Sequence, residues 1–254
     1  MTNLSVVIPA YNAGPYLREA VESLLAEAAD GLEVVVVDDG STDDSLKSIE
    51  EFPVKIIRQA NGGEARARNA GIRAARGRYI TFLDADDLIA AGGILARAAY
   101  LDAHPSDIAV GGLPSTLIDQ NGRTIADVFQ RMSQKYAPPF RLTDAFYRSN
   151  RFFPVSCSLY LYRREVFDAI GGYDETLRYA PDCDFHFRFL RTMEIPVLGV
   201  RTFDRRIHAD NLSIRRLAPS ELVFKEDLLA VIRGINRKHG FDPKEIVPWE
   251  AEYL

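Results

Sequence analysis

Over its first 112 residues the chain alternates between two hydrophobic periods, and few architectures accept that alternation. Short β-branched runs at 4–8, 33–37, 54–57, 79–83 and 108–110 read as strands. Between most of them lie helix-like stretches at 16–28, 43–51, 64–75 and 92–104. Strands separated by helical segments require right-handed crossovers, hence an α/β fold with a mainly parallel sheet and helices on both faces. Val34, Val35, Val36 and Val37 form a run apolar at every position, as in a strand covered on both sides.

After residue 112 the rhythm changes. Asn121-Gly122 lies between Leu117-Ile118 and Thr124-Ile125, which signals a hairpin. Pro138-Pro139 and Pro154 interrupt the middle of the chain. Further strands are expected at 158–162 and 196–200, and helices at 182–193 and 219–239. The second half therefore reads as an elaboration returning to the open edge of the same sheet, which divides the chain into 1–112, 113–218 and 219–254.

Composition removes several function classes. A formal net charge of −5 argues against a dedicated nucleic-acid binder, which needs a basic surplus. Cys157 and Cys183 are the two cysteines and form no CxxC pair, so neither a disulfide framework nor a cysteine zinc site is expected, and a reducing cytoplasm fits. No apolar run approaches the roughly 18 residues of a membrane-spanning helix. The start Met1-Thr2-Asn3-Leu4-Ser5 lacks the pattern of a signal peptide. A cytoplasmic protein is the expectation.

In an open parallel sheet, ligands bind beyond the carboxyl ends of the strands. The first strand runs into Pro9-Ala10-Tyr11-Asn12 and the second into Asp38-Asp39-Gly40-Ser41-Thr42-Asp43. Asn61-Gly62-Gly63 follows the third, and Asp84-Ala85-Asp86-Asp87 the fourth. Polar and acidic residues thus gather on one edge. The sequence has no GxGxxG after the first strand, no GxxxxGK[ST], no HExxH and no GxSxG, which disfavours Rossmann dehydrogenases, P-loop NTPases and the corresponding hydrolases. Carboxylates repel a pyrophosphate unless a divalent cation intervenes, and Mg²⁺ or Mn²⁺ is the natural bridge. Asp84 and Asp86 point to one side of an extended segment, so one can meet a ribose and the other a metal. The plain alternative is helix capping, with Asp87 as the cap. For Asp38 and Asp39 the plain alternative is a turn, with Thr42 or Asp43 starting a helix.

Four segments, Ser5 through Asn12, Val37 through Asp43, Ala67-Arg68-Asn69-Ala70-Gly71-Ile72 and Phe82 through Asp87, resemble in order and spacing the family 2 glycosyltransferases. The likeness is strong over about the first 110 residues and weaker to about residue 215. It implies a GT-A fold, a nucleotide-sugar donor with UDP as the first choice, a divalent metal, and inversion at the anomeric carbon. By resemblance, Pro9, Ala10 and Tyr11 line the base and ribose, Asp39 accepts from the uracil N–H, and Arg68 approaches the nucleotide. Asp84 is assigned to the ribose and Asp86 to the metal. The plain alternative for Arg68 is a solvated cation among Arg66, Arg73 and Arg76.

Gly171-Gly172-Tyr173-Asp174-Glu175 followed by Pro181-Asp182-Cys183-Asp184 resembles the segment that carries the family's base. Asp182 falls on the base, while Pro181 stands where the family has a first acidic residue. The plain alternative for Asp182 is a first-turn carboxylate. His186, one turn on, is a candidate to orient it. Arg206-Ile207-His208 with Asn211-Leu212-Ser213 resembles the late segment whose histidine approaches metal or pyrophosphate. Arg201, Arg205, Arg206, Arg215 and Arg216 form a basic run, either a solvated loop or a receiver of phosphate at a membrane face.

The implied activity is transfer of one sugar to a saccharide or lipid-linked saccharide, in bacterial surface glycan synthesis. Residues 1–112 would bind the donor, 113–218 the acceptor, and 219–254 would add a helical extension in which Trp249 can serve an interface. Two rivals remain: a non-catalytic nucleotide-sugar binder, kept alive by Pro181, and a sugar-phosphate nucleotidyltransferase, which would want a basic glycine-rich first loop.

Overall fold

The computed structural model describes residues 3–27, 31–143, 156–177, 181–209 and 211. In chain order the first half comprises β1 (Leu4–Ala10), α1 (Tyr16–Leu25), β2 (Leu32–Asp38), β3 (Lys55–Arg58), α2 (Glu64–Ala74), β4 (Tyr79–Phe82), β5 (Leu88–Ile89) and α3 (Gly93–Ala103). There follow β6 (Ala109–Leu113), β7 (Thr116–Ile118), β8 (Thr124–Asp127), α4 (Val128–Tyr136), β9 (Phe140–Leu142), β10 (Tyr160–Arg163), α5 (Glu165–Ile170), α6 (Pro181–Leu190), β11 (Ile195–Arg201) and β12 (Phe203–Arg206).

Among the described residues eight strands form the main sheet in the order β3-β2-β1-β4-β10-β6-β11-β9. The first four are parallel, as the alternating periods require. Strand β10 then enters antiparallel between β4 and β6, so strands from both sides of residue 112 share one sheet. Val34 to Val37 of β2 and Val6 to Ile8 of β1 are buried, matching their unbroken apolar runs. On α1, Leu17, Ala20, Val21 and Leu24 are buried at three- and four-residue spacing, one stripe facing the sheet.

A second sheet, β5-β12-β7-β8, contains the anticipated hairpin: β7 and β8 pair antiparallel around Gly122. Asp119 closes the turn by accepting from the backbone N–H groups of Asn121 and Arg123, both at 2.8 Å. Strand β12 pairs with β5, directly after the Asp84–Asp87 segment, and so carries residues 206–208 back to that segment.

The helix expected at 43–51 is only a 3₁₀ turn, Leu46–Ile49. Side chains compete for its backbone. Asn12 Oδ1 accepts from the N–H of Thr42 at 2.7 Å, and Asp43 Oδ2 accepts from the N–H of Gly14 at 2.9 Å. These bonds lock the ends of β1 and β2 together instead of starting a helix. Only part of the strand expected at 158–162 forms, because Cys157–Leu159 is a 3₁₀ turn. Strands β5, β9 and β12 and helices α4 and α5 carry signals too short to be anticipated. The anticipated helix at 219–239, Pro154, Trp249, Arg215 and Arg216 lie outside the described residues.

Candidate active site

The carboxyl ends of β1, β2 and β4 and the starts of α2 and α6 bring the candidate residues into three neighbouring groups. At the first, Ala10 is buried and Tyr11 is 53% exposed, an aromatic face presented to solvent beside Pro9. Asp38 is a turn residue: its Oδ1 accepts from the N–H of Ser41 at 2.9 Å. Asp39 is buried and accepts from Gln59 Nε2 at 2.7 Å and from the N–H groups of Gly62 and Gly63 at 2.9 and 2.8 Å. A carboxylate has about four acceptor positions, so roughly one remains for a ligand N–H. Gly63, at φ +89°, holds the left-handed turn that aims its N–H there.

The second group surrounds Arg68, which is buried rather than solvated. Its Nη2 donates to Asp84 Oδ1 at 3.0 Å and pairs with Glu64, one turn earlier on α2. Its Nε and Nη1 are buried without hydrogen-bond partners. The guanidinium lies over the Tyr173 ring at 5.4 Å. Asn69, the next residue, clamps the segment leading to α6: its amide donates to the Tyr173 carbonyl and accepts from the Tyr173 N–H, both at 2.8 Å. Gly172 permits that approach, since a Cβ there would lie 2.3 Å from Asn69 Oδ1.

Asp182 sits in the first turn of α6 and accepts from the Cys183 N–H at 3.0 Å. Burial, then the charge of Glu64, push its carboxyl up to about 6 against the pull of Arg68. Burial likewise lifts Asp84 to about 6, with Arg68 opposing and Glu64, Asp86 and Asp182 adding to the rise. His186 does not orient the Asp182 carboxylate. Its Nδ1 meets the Asp182 backbone carbonyl at 2.8 Å and its Nε2 the Tyr162 hydroxyl at 2.8 Å. Burial pushes this imidazole down to about 4, so it is neutral and braces the helix start. Asp184 is buried and paired with Arg188 at 2.8 Å.

The third group is Asp86 with His208 and Asn211. His208 Nε2 lies 3.0 Å from Asp86 Oδ2, and Asn211 Nδ2 donates to the same oxygen at 2.9 Å. The imidazole packs on Tyr16, ring centroids 4.8 Å apart. A carboxylate and an imidazole meeting in this way suit a divalent cation held by two protein ligands, with phosphate oxygens and water completing its shell. Among the described residues no group of three or more His, Cys, Asp or Glu is disposed to hold a metal, so a cation here needs the substrate's oxygens.

Asp87 does not cap the next helix. It is buried, accepts from the Arg206 N–H at 2.9 Å, and is pushed upward by burial and then by Asp86 and Asp84. Helix α3 starts only at Gly93, and Glu27 accepts from the Gly92 N–H before it. The basic run divides. Arg201 pairs with Asp127 at 2.8 Å, and Arg206 is buried, with Nη2 on Glu19 at 2.6 Å and Nε on the Asp86 carbonyl at 2.9 Å.

Sequence reasoning missed Glu64 as part of this arrangement, and it gave Asn69 and Arg206 no contacts although both stand in segments that carried the resemblance. The four-residue spacing of Glu64 and Arg68 on one helix face was the available signal for the first. Nothing local marks the partner of Arg206, since Glu19 is 187 positions away.

The Glycosyl transferase family 2 model matches residues 5–171. The uncharacterized glycosyltransferase EpsJ of Bacillus subtilis is 30% identical over 197 residues, 75% of this chain and 57% of EpsJ. Chondroitin synthase of Escherichia coli is 28% identical over 84% of this chain and 30% of its own length. The chain thus spans less than two thirds of either relative. The solved structure of S. aureus TarS 1-349 in complex with UDP-GlcNAc superposes with a TM-score of 0.69 at 26% identity, covering 92% of this chain and 65% of that one.

Proposed function

The chain belongs to glycosyl transferase family 2 and has a GT-A fold, and from that premise we propose that it is an inverting enzyme that moves one sugar from a UDP-sugar to an acceptor hydroxyl. The observation that carries the reading is the placement of Asp182. A half-buried carboxylate at a helix start faces the same edge as the donor-side residues Arg68, Asp84 and Asp86.

In this reading Tyr11, Pro9 and Ala10 receive the base and ribose, and the remaining acceptor position of Asp39 takes the uracil N–H. Asp84 faces the ribose, held by Arg68. Asp86 and His208 would hold Mn²⁺ or Mg²⁺, which when bound offsets negative charge gathering on the diphosphate. Asp182 removes the acceptor O–H proton. The oxygen's electron pair forms the bond to the anomeric carbon as the bond from that carbon to the diphosphate oxygen breaks, and the diphosphate departs with the pair. One displacement inverts the centre and needs no protein nucleophile.

Residues 1–112 serve the donor and 113–218 the acceptor, which we place among saccharides or lipid-linked saccharides of a polysaccharide pathway, on the cytoplasmic side. Chondroitin synthase among the relatives supports the polysaccharide setting. No helix of the described residues is long and apolar enough to cross a membrane. Arg206 is buried and paired with Glu19, so a peripheral membrane contact through the basic run would rest on its other arginines.

Calorimetry with UDP, dTDP, GDP and CMP, each with and without Mn²⁺, tests the donor half. Metal-dependent binding of UDP, lost in Asp86→Ala, is the expected result; tight binding without metal would remove Asp86 and His208 from the role given them. Asp182→Asn is expected to bind UDP normally and to lose about 10²- to 10⁴-fold in turnover. A variant as active as wild type would transfer the base role elsewhere. Nucleotide binding without turnover in the wild-type chain would favour the non-catalytic reading that Pro181 keeps open.

A further inference from the structure

Residues 170–173 form a strap between helices α2 and α6, and side chains of both helices grip its backbone. From α2, the Asn69 amide donates to the Tyr173 carbonyl at 2.8 Å and accepts from the Tyr173 N–H at 2.8 Å, across 104 positions of sequence. Its Nδ2 also donates to Glu175 Oε1 at 2.8 Å, so both donors of this buried amide are used. From α6, Arg188 donates to the carbonyls of Ile170 and Gly172 at 2.6 and 2.7 Å, while Asp184 accepts from its Nε at 2.8 Å.

The Tyr173 ring at the end of the strap lies among three elements that carry candidate site residues. It stacks on the buried ring of Phe185, centroids 4.7 Å apart, and Phe185 stands one turn beyond Asp182 on α6. It meets Phe82 of β4 edge to face at 5.5 Å, two residues before Asp84. Arg68 of α2 lies over it at 5.4 Å. Its hydroxyl is buried without a hydrogen-bond partner, so the ring and not the hydroxyl makes these contacts.

We infer that Tyr173 is a positioning residue of the transfer reaction: pinned by Asn69, its ring sets the spacing between the donor-side groups on α2 and β4 and the helix that carries Asp182. The inference deepens the reading above and rests on Asp182 being the base. Transfer needs the acceptor oxygen, hydrogen-bonded to Asp182, to lie in line with the bond that breaks, and a displacement of about 1 Å can cost on the order of 10²-fold in rate. A smaller side chain at 173 leaves a gap between Phe82 and Phe185 into which α6 can settle, taking Asp182 with it. Arg68 keeps its contacts with Asp84 and Glu64 without the ring, so the donor side is disturbed less than the base.

The test compares Tyr173→Leu, Tyr173→Phe, Asn69→Ala and Asp182→Asn with wild type. Each is measured by steady-state rates on the UDP-sugar and saccharide acceptor that the wild type turns over, by calorimetry with UDP and Mn²⁺, and by its thermal midpoint. Tyr173→Leu should lose about 10- to 100-fold in kcat while its Kd for UDP stays within about threefold. Tyr173→Phe should return kcat to within about threefold of wild type, since the ring contacts survive. Asn69→Ala loosens the anchor and leaves the ring; it should lower kcat in the same direction, and it carries the test if Tyr173→Leu does not fold. In the double variant the two losses should combine to less than their product, as for residues acting along one path. An unchanged kcat in folded Tyr173→Leu or Asn69→Ala, a UDP Kd that weakens in step with kcat, or a Tyr173→Phe as slow as Tyr173→Leu would overturn the inference and leave the base role of Asp182 standing. If Asp182→Asn turns over like wild type, or if wild type binds UDP without turnover, the base assignment fails and the inference falls with it.

Discussion

At the ordinary value of 3.8 the Asp182 carboxyl is ionised throughout neutral pH in an unfolded chain, whereas burial and Glu64 lift it to about 6 in the folded protein. Between those values the native state binds the proton more tightly than the unfolded state. The stability this contributes is fully present below about pH 4 and is lost as the pH rises through about 6. Asn at this position has no charge to desolvate. Asp182→Asn should therefore be more stable than wild type at pH 8, by on the order of 1–2 kcal/mol once partial exposure is allowed for, with the difference vanishing at pH 4. Urea unfolding at the two pH values measures it, and an equal difference at both would show that the carboxylate is not desolvated in the fold. The same burial that raises its basicity thus destabilises the ionised fold, the trade common at sites built for proton transfer. Pro181, Asp182 and the Arg68 motif were legible as residues. The neutral state of His186 was not, because it depends on Tyr162 and the Asp182 carbonyl closing over both ring nitrogens.

Helix α2 shows how an element converts a sequence motif into a site. Gly71 lets it press on β1: a Cβ there would lie 2.2 Å from Val7 Cγ1. That approach seats Arg68 beside Asp84 and Asn69 against Tyr173, while Gly62 and Gly63, at the turn into the helix, point N–H groups at Asp39. Gly71→Ala should push α2 off the sheet, destabilise the fold by about 1–3 kcal/mol, and weaken UDP binding because Arg68 moves with its helix. Chemical denaturation and calorimetry on the same variant check both parts; lost stability with unchanged binding would uncouple the helix from the site. Strands β1, β2 and β4 and helices α1, α2 and α3 stand close to where the hydrophobic periods put them. The expected helix at 43–51 gave way because Asn12 and Asp43 bond across two loops, a contact that periodicity within one segment does not register.

On the scale of the whole molecule, Arg206 connects parts that the chain keeps far apart. From the end of β12 its guanidinium reaches Glu19 on α1, the Asp86 carbonyl, and the Asp119 and Gln120 carbonyls of the hairpin, while lying over the Tyr16 ring at 4.7 Å; its backbone N–H donates to the Asp87 carboxylate. It fixes the approach of His208, two residues later, to Asp86. Arg206→Met should cost about 1–3 kcal/mol, since it removes the charge-assisted hydrogen bonds that join Glu19, the Asp86 carbonyl and the hairpin carbonyls, and should reduce Mn²⁺-dependent UDP binding. Arg206→Lys should recover only part of both losses, because a point charge replaces a fork with several donors. Equilibrium unfolding with parallel calorimetry separates these outcomes, and full rescue by Lys would show that charge alone suffices.

The sequence by itself determined the α/β class, the parallel order of its early crossovers, and the acidic edge at the ends of β1, β2 and β4. Those properties follow from hydrophobic period and turn chemistry, which act over a few neighbouring residues. Tertiary structure alone decided the antiparallel entry of β10 into the sheet and the burial of Arg68 and Arg206. Each of these depends on which distant groups remove a side chain from water. The energy of a charge is set by that surrounding, so the same side chain serves a solvated helix face at Arg73 and a buried hub at Arg206.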